Sequence, residues 1–270
     1  MTIAADLRAR LPIQGLGDPF FYHETIASTN DEALERARQG AAHGALVFAE
    51  EQTAGRGRAG RHWFTPAKSA LAFSLVLRPQ LDDSQEVFGL AGLGALAVVK
   101  ALETWTIRAA IKWPNDVLID RHKIAGILVE TSWAGVELEY AVMGIGINVQ
   151  RQSVPAKDAL DYPASCIEAA VGKRVDRYDL FIDVLESLAY WYERLGSEEL
   201  IDAWQHHLAF LNQTVVVRDT TGERTGVLCG MTVDGRLRLE TPQGEQFLAA
   251  CGDVRMRSVD TNFKSATLGE

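Results

Sequence analysis

A run of alternating glycines and arginines stands in the first quarter of the chain, Gly55-Arg-Gly-Arg-Ala-Gly-Arg61. Glycine lets a backbone approach a ligand closely or adopt a positive φ. The guanidinium groups of Arg56, Arg58 and Arg61 are permanently charged, planar donors that suit phosphate or carboxylate. Gly55, Gly57 and Gly60 together with these arginines indicate a loop that recognises an anion.

Closing such a loop costs about 1–2 kcal/mol of backbone entropy per ordered residue. We therefore expect it to be mobile when empty and to close when an anion compensates its charge. Arg-Gly repeats also occur in disordered RNA-binding segments, and these residues alone leave both interpretations open. The flanking residues 45–49 and 69–77 favour an ordered loop, because both are apolar and rich in strand-forming residues.

Further polar residues stand at predicted strand ends and helix starts. They are Ser28, Thr29 and Asn30, then Gln52, Lys112, Asn115, Asp116, Lys123 and Asn148. Each has an ordinary structural interpretation: helix capping for the first three, and a solvated strand end for a lysine such as Lys123. Trp63, just after the arginines, is equally well explained as a core residue.

The elements that must position these residues mix strands and helices. The sequence predicts a strand over residues 20–26, a helix over about 31–39 ending at Gly40, and a long helix from a cap at 82–84 to about Trp105. Small residues in that helix, from Gly89 to Ala97, predict close packing against a sheet.

Downstream, residues 111–119 and 123–131 predict a hairpin in which Pro114 forces an irregular backbone before Asn115. A strand from Val136 runs into Gly144-Ile-Gly-Ile-Asn-Val149, whose glycines permit close approach. No dinucleotide-binding glycine pattern or P-loop is present. Residues 164–210 predict helix, with core positions at helical spacing.

The character of the chain changes near Leu211. Residues 214–218, 226–230, 235–240 and 246–249 predict short strands separated by glycine turns, the pattern of a small SH3-like barrel. We expect a short leader over 1–19, an α+β domain over 20–211, the barrel over 212–260 and a tail over 261–270.

Composition limits the class of protein. The 270 residues are 47% hydrophobic and 23% charged, which fits a globular chain with one large core and a small second domain. The formal net charge of −9 opposes general nucleic-acid binding, because phosphate contacts supply most of that affinity.

Cysteine usage and apolar runs bear on location. Cys166, Cys229 and Cys251 are odd in number and widely spaced, which argues against a disulfide framework and a zinc site and fits a reducing cytoplasm. The first residues contain no signal-peptide core, and we expect no run of membrane-spanning length.

Three motifs together resemble those of the biotin protein ligases, also called holocarboxylase synthetases. They are Gly-Arg-Gly-Arg-x-Gly-Arg at residues 55–61, Lys-Trp-Pro-Asn-Asp at 112–116 and Lys-Ile-Ala-Gly-Ile-Leu-Val-Glu at 123–130. They occur in the family's order, and the resemblance covers about residues 20–258. It implies an α+β catalytic domain with a mixed sheet, like that of class II aminoacyl-tRNA synthetases, and a carboxy-terminal SH3-like barrel.

The resemblance also implies a reaction. The family activates biotin with Mg-ATP to biotinyl-5′-AMP, releases pyrophosphate and passes the biotinyl group to a lysine of a carrier domain. Such chemistry brings two anions together, so it depends on charge neutralisation and positioning. Lys123, Arg58 and Lys112 are the implied catalytic residues.

Carried over by motif, Ser28, Thr29, Asn30 and Gln52 are expected around the biotin ureido ring. Arg56, Gly57 and Arg58 are expected to close over biotin and the acyl phosphate, with Lys123 beside the carboxylate and the α-phosphate. The implied ATP-binding residues are Arg58, Arg61, Trp63, Lys112, Asn115, Asp116, Asn148 and, near the end of the barrel, Arg257. Asp116 is the implied Mg²⁺ ligand, directly or through water.

Other functions remain open at this point. A lipoate or octanoate ligase or transferase is similar in fold, although the intact arginine loop and the barrel favour biotin. A non-catalytic nucleic-acid or biotin-binding module is the alternative from another class, opposed by acidity and by Lys112, Asp116 and Lys123. We expect the partner to be a biotin carboxyl carrier protein of acetyl-CoA carboxylase. We expect no repressor domain and no nucleic-acid or membrane partner. A homodimer is possible.

Overall fold

A computed structural model describes most of the chain. The residues described are 2–11, 15–79, 86–156, 162–219, 222–249 and 255–258. The chain forms two compact units, one of Met1–Ala209 with Val233–Gly235 and one of Phe210–Thr232 with Arg236–Glu270. The first change of unit lies two residues before the domain boundary predicted from the sequence.

The first unit is built on a seven-stranded mixed sheet in the order β1-β2-β3-β7-β6-β5-β4. Its strands are β1 (Phe20–Ile26), β2 (Leu46–Gln52), β3 (Ala70–Leu77), β4 (Ala110–Lys112), β5 (Asp116–Ile119), β6 (His122–Ala134) and β7 (Glu137–Asn148). Only β1 and β2 run parallel; the other described pairs are antiparallel. The predicted hairpin is present as β5 and β6. Pro114 lies in the turn that separates β4 from β5.

Six helices accompany this sheet in the described part of the unit. They are α1 (Ile3–Arg10), α2 (Thr29–Arg38), α3 (Glu86–Thr104), α4 (Ile167–Val171), α5 (Arg177–Tyr192) and α6 (Glu198–His206). Together with the mixed sheet they confirm the predicted α+β class. The leader, for which no element was expected, contains α1, and the predicted helical region 164–210 is three separate helices.

The helices cover both faces of the sheet. In β2, Val47 belongs to a buried cluster with Ala33 and Ala37 of α2. The next residue, Phe48, points to the opposite face, where its ring centroid lies 4.9 Å from that of Phe181 in α5. Because neighbouring strand residues alternate between faces, α2 lies on one side of the sheet and α5 on the other.

The small residues of α3 make two kinds of contact. A Cβ on Gly94 would stand 3.1 Å from Ile127 and Met143, so this glycine packs against β6 and β7 as predicted. A Cβ on Gly92 would instead stand 2.2 Å from the indole of Trp204 in α6. The small residues therefore serve helix–helix packing as well as helix–sheet packing.

The same helix is the most apolar long segment that the structure describes. Residues Val87–Thr104 form an 18-residue window of mean hydropathy 1.6, long and apolar enough by those two measures to cross a membrane. The expectation that no run reaches that length was therefore wrong. The window is 61% buried inside the protein, as is typical of a core helix.

The second unit is an antiparallel sheet of five described strands in the order β11-β10-β9-β8-β12. They are β8 (Thr214–Asp219), β9 (Gly222–Met231), β10 (Leu237–Glu240), β11 (Gln246–Ala249) and β12 (Arg255–Ser258). The four strands predicted from the sequence are present, and β12 was not predicted. The predicted tail and the cap at 82–84 lie outside the described residues.

Two substitutions in α3 test its packing. Gly92→Ala should lower the free energy of unfolding by about 1–3 kcal/mol, because the new methyl group collides with the Trp204 ring. Gly89→Ala is the matched control: its Cβ meets only Leu195 at an ordinary 3.4 Å, and alanine favours helix by up to about 1 kcal/mol. Urea unfolding measures both, and equal effects of the two variants would contradict this account of the packing.

Candidate active site

The arginine loop connects β2 to β3 as an irregular hairpin. The Gly57 N–H donates to Arg61 O at 2.7 Å and the Trp63 N–H donates to Gly55 O at 2.8 Å. A Cβ on Gly55 would lie 2.4 Å from Trp63 O, so this glycine permits close approach of the loop to itself. Of the three loop glycines, Gly60 alone has a positive φ, and Ala59 shares that conformation at 54°.

Residues from three elements form what is called here the buried polar cluster. Its members Ser28, Thr29, Asn30 and Ser74 are buried, and Gln52 is half-buried. Gln52 Oε1 accepts from the Thr29 N–H at 2.8 Å, which ties the end of β2 to the start of α2. The Ser74 hydroxyl donates to Asn30 Oδ1 at 2.6 Å and lies 2.9 Å from Thr29 Oγ1. Ser28 caps α2 by accepting from the Asp31 N–H.

Glycines on β6 and β7 leave room for the side chains of Asn30 and Trp63 to pack closely against the sheet. A Cβ on Gly144 would lie 2.0 Å from Asn30 Oδ1, and one on Gly146 would lie 2.3 Å from the Trp63 indole. Gly126 pairs with Gly146 across the two strands and also faces Trp63. The close approach predicted for Gly144 and Gly146 is therefore to Asn30 and Trp63.

A second group, called here the cationic cluster, consists of Lys112, Asp116 and Lys123. Lys112 ends β4, Asp116 begins β5 and Lys123 is the second residue of β6. Asp116 Oδ1 is 2.6 Å from Lys123 Nζ and its Oδ2 is 3.4 Å from Lys112 Nζ. Burial by itself raises the pKa of Asp116, but the two ammonium groups outweigh burial and hold that pKa below its ordinary value. Burial lowers the pKa of Lys112, against the opposing effect of Asp116.

Aromatic rings border both lysines of the cationic cluster. Lys123 Nζ lies 5.3 Å from the Trp63 ring centroid and Lys112 Nζ lies 5.0 Å from that of Tyr162. These are cation–π distances. They place Trp63, which is half-buried, between the loop and the cationic cluster, so it lies in the candidate site and not in the core.

The arginines of the loop have different partners. Arg56 binds Glu130 through Nη1–Oε1 at 2.9 Å and Nη2–Oε2 at 2.5 Å, and its Nη2 lies 2.7 Å from Asp31 Oδ1. Arg58 donates to Asn115 Oδ1 at 3.0 Å, while Asn115 donates to Ile127 O at 2.8 Å. Arg61 lies near enough to Lys112 to depress the pKa of that lysine slightly.

Asn148 and Arg257 complete the predicted set. Asn148, at the end of β7, donates to Ser165 O at 3.1 Å, and the Ser165 N–H donates to Lys123 O. Asn148 therefore belongs to the same region as the cationic cluster. The backbone of Arg257 lies in β12 of the second unit, paired with Val216, and its assignment to ATP stays a prediction.

The surroundings of Asp116 do not fit a metal ion bound directly to this carboxylate. Each of its oxygens faces a lysine ammonium group, so a divalent cation there would meet two like charges. Within the described residues, no group of three or more His, Cys, Asp or Glu side chains is placed to hold a metal. Direct coordination by Asp116 thus gains no support from this arrangement.

Three residues of the site were not assigned from the sequence. Ser74 carried a signal, because it interrupts the otherwise apolar β3 sequence Ala-Leu-Ala-Phe-Ser-Leu-Val-Leu. Glu130 closes the third motif and follows an apolar run, but no role was assigned to it. Tyr162 lies in a polar loop whose sequence gave no sign of its contact with Lys112.

Comparison with known proteins agrees with the motifs. A model of the biotin/lipoate A/B protein ligase family matches residues 22–148. The biotin–[acetyl-CoA-carboxylase] ligase of Paracoccus denitrificans is 37% identical over 233 residues, which are 83% of this chain and 95% of that protein. The chain belongs to the biotin protein ligase family.

Other members show the same relationship. The bifunctional ligase/repressor BirA of Bacillus subtilis is 33% identical over 244 residues, covering 89% of this chain and 75% of BirA. A structure of the Aquifex aeolicus biotin protein ligase in complex with biotin and ATP superposes with a TM-score of 0.74 at 27% identity, covering 88% of this chain and 98% of that one. The family's fold is therefore present along most of the chain.

Replacing the central carboxylate tests the charge balance of the cationic cluster. Asp116→Asn should lower the free energy of unfolding by about 3 kcal/mol at neutral pH, because two half-buried ammonium groups lose their buried counter-charge. The folded pKa of Asp116 is lowered from 3.8, so its contribution is complete above that pH and is lost as pH falls further. The difference in free energy of unfolding between the unaltered protein and Asp116→Asn should therefore decrease below pH 3.8.

Urea unfolding between pH 7 and pH 3 measures this gap. Asp202→Asn, at an exposed position of α6, is the matched control and should change stability by less than about 0.5 kcal/mol. A gap that stays constant over the whole pH range would contradict the account.

Proposed function

We propose that this chain is an ATP-dependent biotin protein ligase. It activates biotin to biotinyl-5′-AMP with release of pyrophosphate, then transfers the biotinyl group to a lysine of a biotin carboxyl carrier protein. The observation that carries the proposal is the placement of the cationic cluster and the buried polar cluster around Trp63 and the glycines of β6 and β7. Membership of the biotin protein ligase family supplies the substrates.

The first step joins two anions. A carboxylate oxygen of biotin attacks the α-phosphorus of ATP, and the bond from that phosphorus to the bridging oxygen of pyrophosphate breaks. Lys123 and Lys112 supply positive charge where the two anions meet, which lowers the barrier by electrostatic stabilisation. Asp116 holds both ammonium groups in place before the substrates arrive.

The second step transfers the acyl group. The unprotonated amine of the acceptor lysine attacks the acyl carbon, and AMP leaves with the bonding electron pair. Biotinyl-AMP is a reactive mixed anhydride, so it must be kept from water and other amines until the acceptor arrives. Arg58, held by Asn115, is suited to close the arginine loop over it.

Specific binding is divided between the two clusters. Ser28, Thr29, Asn30 and Gln52 are proposed to surround the ureido ring, with Arg56, Gly57 and Arg58 above it. The proposed ATP-binding residues are Arg58, Arg61, Trp63, Lys112, Asn115, Asp116, Asn148 and Arg257. A lipoate or octanoate ligase is the second candidate, supported by a family model that covers lipoate as well as biotin ligases.

Several finer expectations belong to the same proposal. Magnesium is proposed to enter with the triphosphate as Mg-ATP, since two lysines already satisfy Asp116. Acetyl-CoA carboxylase is the expected source of the carrier protein. A cytoplasmic location is supported by the cysteine pattern, and a homodimer remains an expectation from the sequence.

Exchange between ATP and pyrophosphate tests the first step and its substrate. With the purified protein and Mg²⁺, exchange should depend on biotin and not on lipoate, octanoate or the absence of an acid. Exchange driven by lipoate or octanoate would move the chain to the second candidate function. No exchange with any acid would contradict both.

Lys123→Ala tests the main catalytic assignment. Exchange should fall by at least about 100-fold, because the ammonium group beside the reacting anions is lost. Thermal unfolding should show that the variant remains folded, and Lys173→Ala at an exposed position should behave like the unaltered protein. Exchange within threefold of the unaltered protein would refute the role of Lys123.

Arg58→Gly tests retention of the adenylate. The variant should label lysines of a bystander protein such as serum albumin, because biotinyl-AMP escapes before an acceptor binds. The matched control is Arg174→Gly, which removes an exposed arginine far along the chain. Acceptor selectivity equal to that of the control would count against loop closure by Arg58.

A further inference from the structure

Glu130 lies on the face of β6 that carries the site. Gly126, four residues earlier on the same strand, faces Lys123 and Trp63, and alternation of side chains along a strand places Glu130 on that same face. The Glu130 side chain is 28% exposed, so it is partly shielded from water. A carboxylate at this position is costly unless it is paired.

Its partners come from two distant segments of the chain. Both oxygens of Glu130 accept from the guanidinium of Arg56, at 2.9 Å and 2.5 Å, in the arginine loop 74 residues away. Oε2 also accepts from Asn30 Nδ2 at 2.9 Å, and Asn30 lies 100 residues away at the start of α2. Glu130 thus joins β6, the arginine loop and the buried polar cluster through one carboxylate.

The geometry commits Arg56 to the protein. A fork-to-fork pair of guanidinium and carboxylate fixes orientation as well as distance. Asp31 adds a second carboxylate 2.7 Å from Arg56 Nη2. The hydrogen bonds that Arg56 donates to Glu130 are the largest cause that raises the pKa of Arg56.

Asn30 is oriented by the same contact. Its Oδ1 accepts from Ser74 and its Nδ2 donates to Glu130, so both ends of the amide have a partner. Rotation of the amide would turn Oδ1 toward the Glu130 carboxylate, which has no proton to donate, whereas the Ser74 hydroxyl could pair with either end. Glu130 therefore determines which way the Asn30 amide faces.

We propose that Glu130 is a positioning residue of this ligase, which holds the base of the arginine loop through Arg56 and orients Asn30 in the biotin site. Arg56 then anchors the loop from its proposed position over biotin, and Arg58 and Arg61 are the arginines that meet the substrate anions. The proposal rests on the proposed function for its kinetic part. Its structural part, the anchoring of the loop, can be measured without any substrate.

Glu130→Gln isolates the charge of the carboxylate. Glutamine keeps the shape and leaves an oxygen that can still accept from Asn30, but it loses the charge-assisted fork with Arg56. We expect the KM for biotin in ATP–pyrophosphate exchange to rise about tenfold, the loss expected for one charge-assisted interaction that is partly exposed. The kcat should change less than about threefold, because Glu130 does not contact the reacting atoms.

Limited trypsin digestion of the ligand-free protein measures the anchoring directly. Cleavage after Arg56 should be several-fold faster in Glu130→Gln than in the unaltered protein, because the anchor of the loop is weakened. Glu137→Gln, which removes an exposed carboxylate at the start of β7, should match the unaltered protein in both assays. Glu130→Asp, which retains the charge on a shorter side chain, should recover part of the loss in KM.

A double variant separates action through Arg56 from a general effect on the strand. In an Arg56→Ala background, Glu130→Gln should raise the KM for biotin by much less than the tenfold expected alone, since the shared contact is already gone. If the two substitutions instead raise the KM for biotin by factors that multiply in the double variant, the proposal is overturned. Unchanged KM and unchanged cleavage after Arg56 in Glu130→Gln would also overturn it.

Failure of the proposed function gives a different pattern of results. If the unaltered protein shows no biotin-dependent exchange, the ligase assignment fails, and faster cleavage after Arg56 in Glu130→Gln still supports the loop anchor. If Glu130→Gln is shown by thermal unfolding to be misfolded, Glu130→Asp takes its place. An Asp variant with the unaltered KM and rate of cleavage after Arg56 would then overturn the anchoring role.

Discussion

The site depends on one buried carboxylate between two ammonium groups. Asp116 holds Lys123 at 2.6 Å and Lys112 at 3.4 Å, and without it two like charges would share a space with little water. The three residues come from the ends of three consecutive strands, so the β4–β5–β6 turn must keep its register for the cluster to exist. The result is a pair of cations held together in one place. In the proposed reaction of two anions, this arrangement would reduce the reorganisation needed during catalysis.

Close packing of Asn30 and Trp63 against the sheet depends on residues that have no side chain. Gly126, Gly144 and Gly146 lie on one face of β6 and β7, and a methyl group at the last two would collide with Asn30 or Trp63. The opposite face of the same strands carries Ile127 and Met143 against α3. One pair of strands therefore serves as core on one side and as the wall of the site on the other.

The arginines of the loop have different partners within the protein. Arg56 is engaged by Glu130 and Asp31, whereas Arg58 contacts Asn115 beside the cationic cluster. A loop with three arginines can therefore be anchored at one end and still present charge at the other.

The sequence by itself determined the family, the α+β class and most strands, because motifs and apolar patterns are local features. It also predicted which residues form the site. It did not determine which arginine pairs with which carboxylate, or that Ser74, Glu130 and Tyr162 join the site. Those contacts link residues far apart in the chain, such as Arg56 and Glu130, and depend on sheet order and side-chain direction. Helix α1 and the breaks between α4, α5 and α6 were missed although local capping signals exist there. Thr2, Asp176 and Ser197 cap the starts of α1, α5 and α6, and Gly172 ends α4 in the left-handed region. These signals are short, and which of them end a helix is decided by packing.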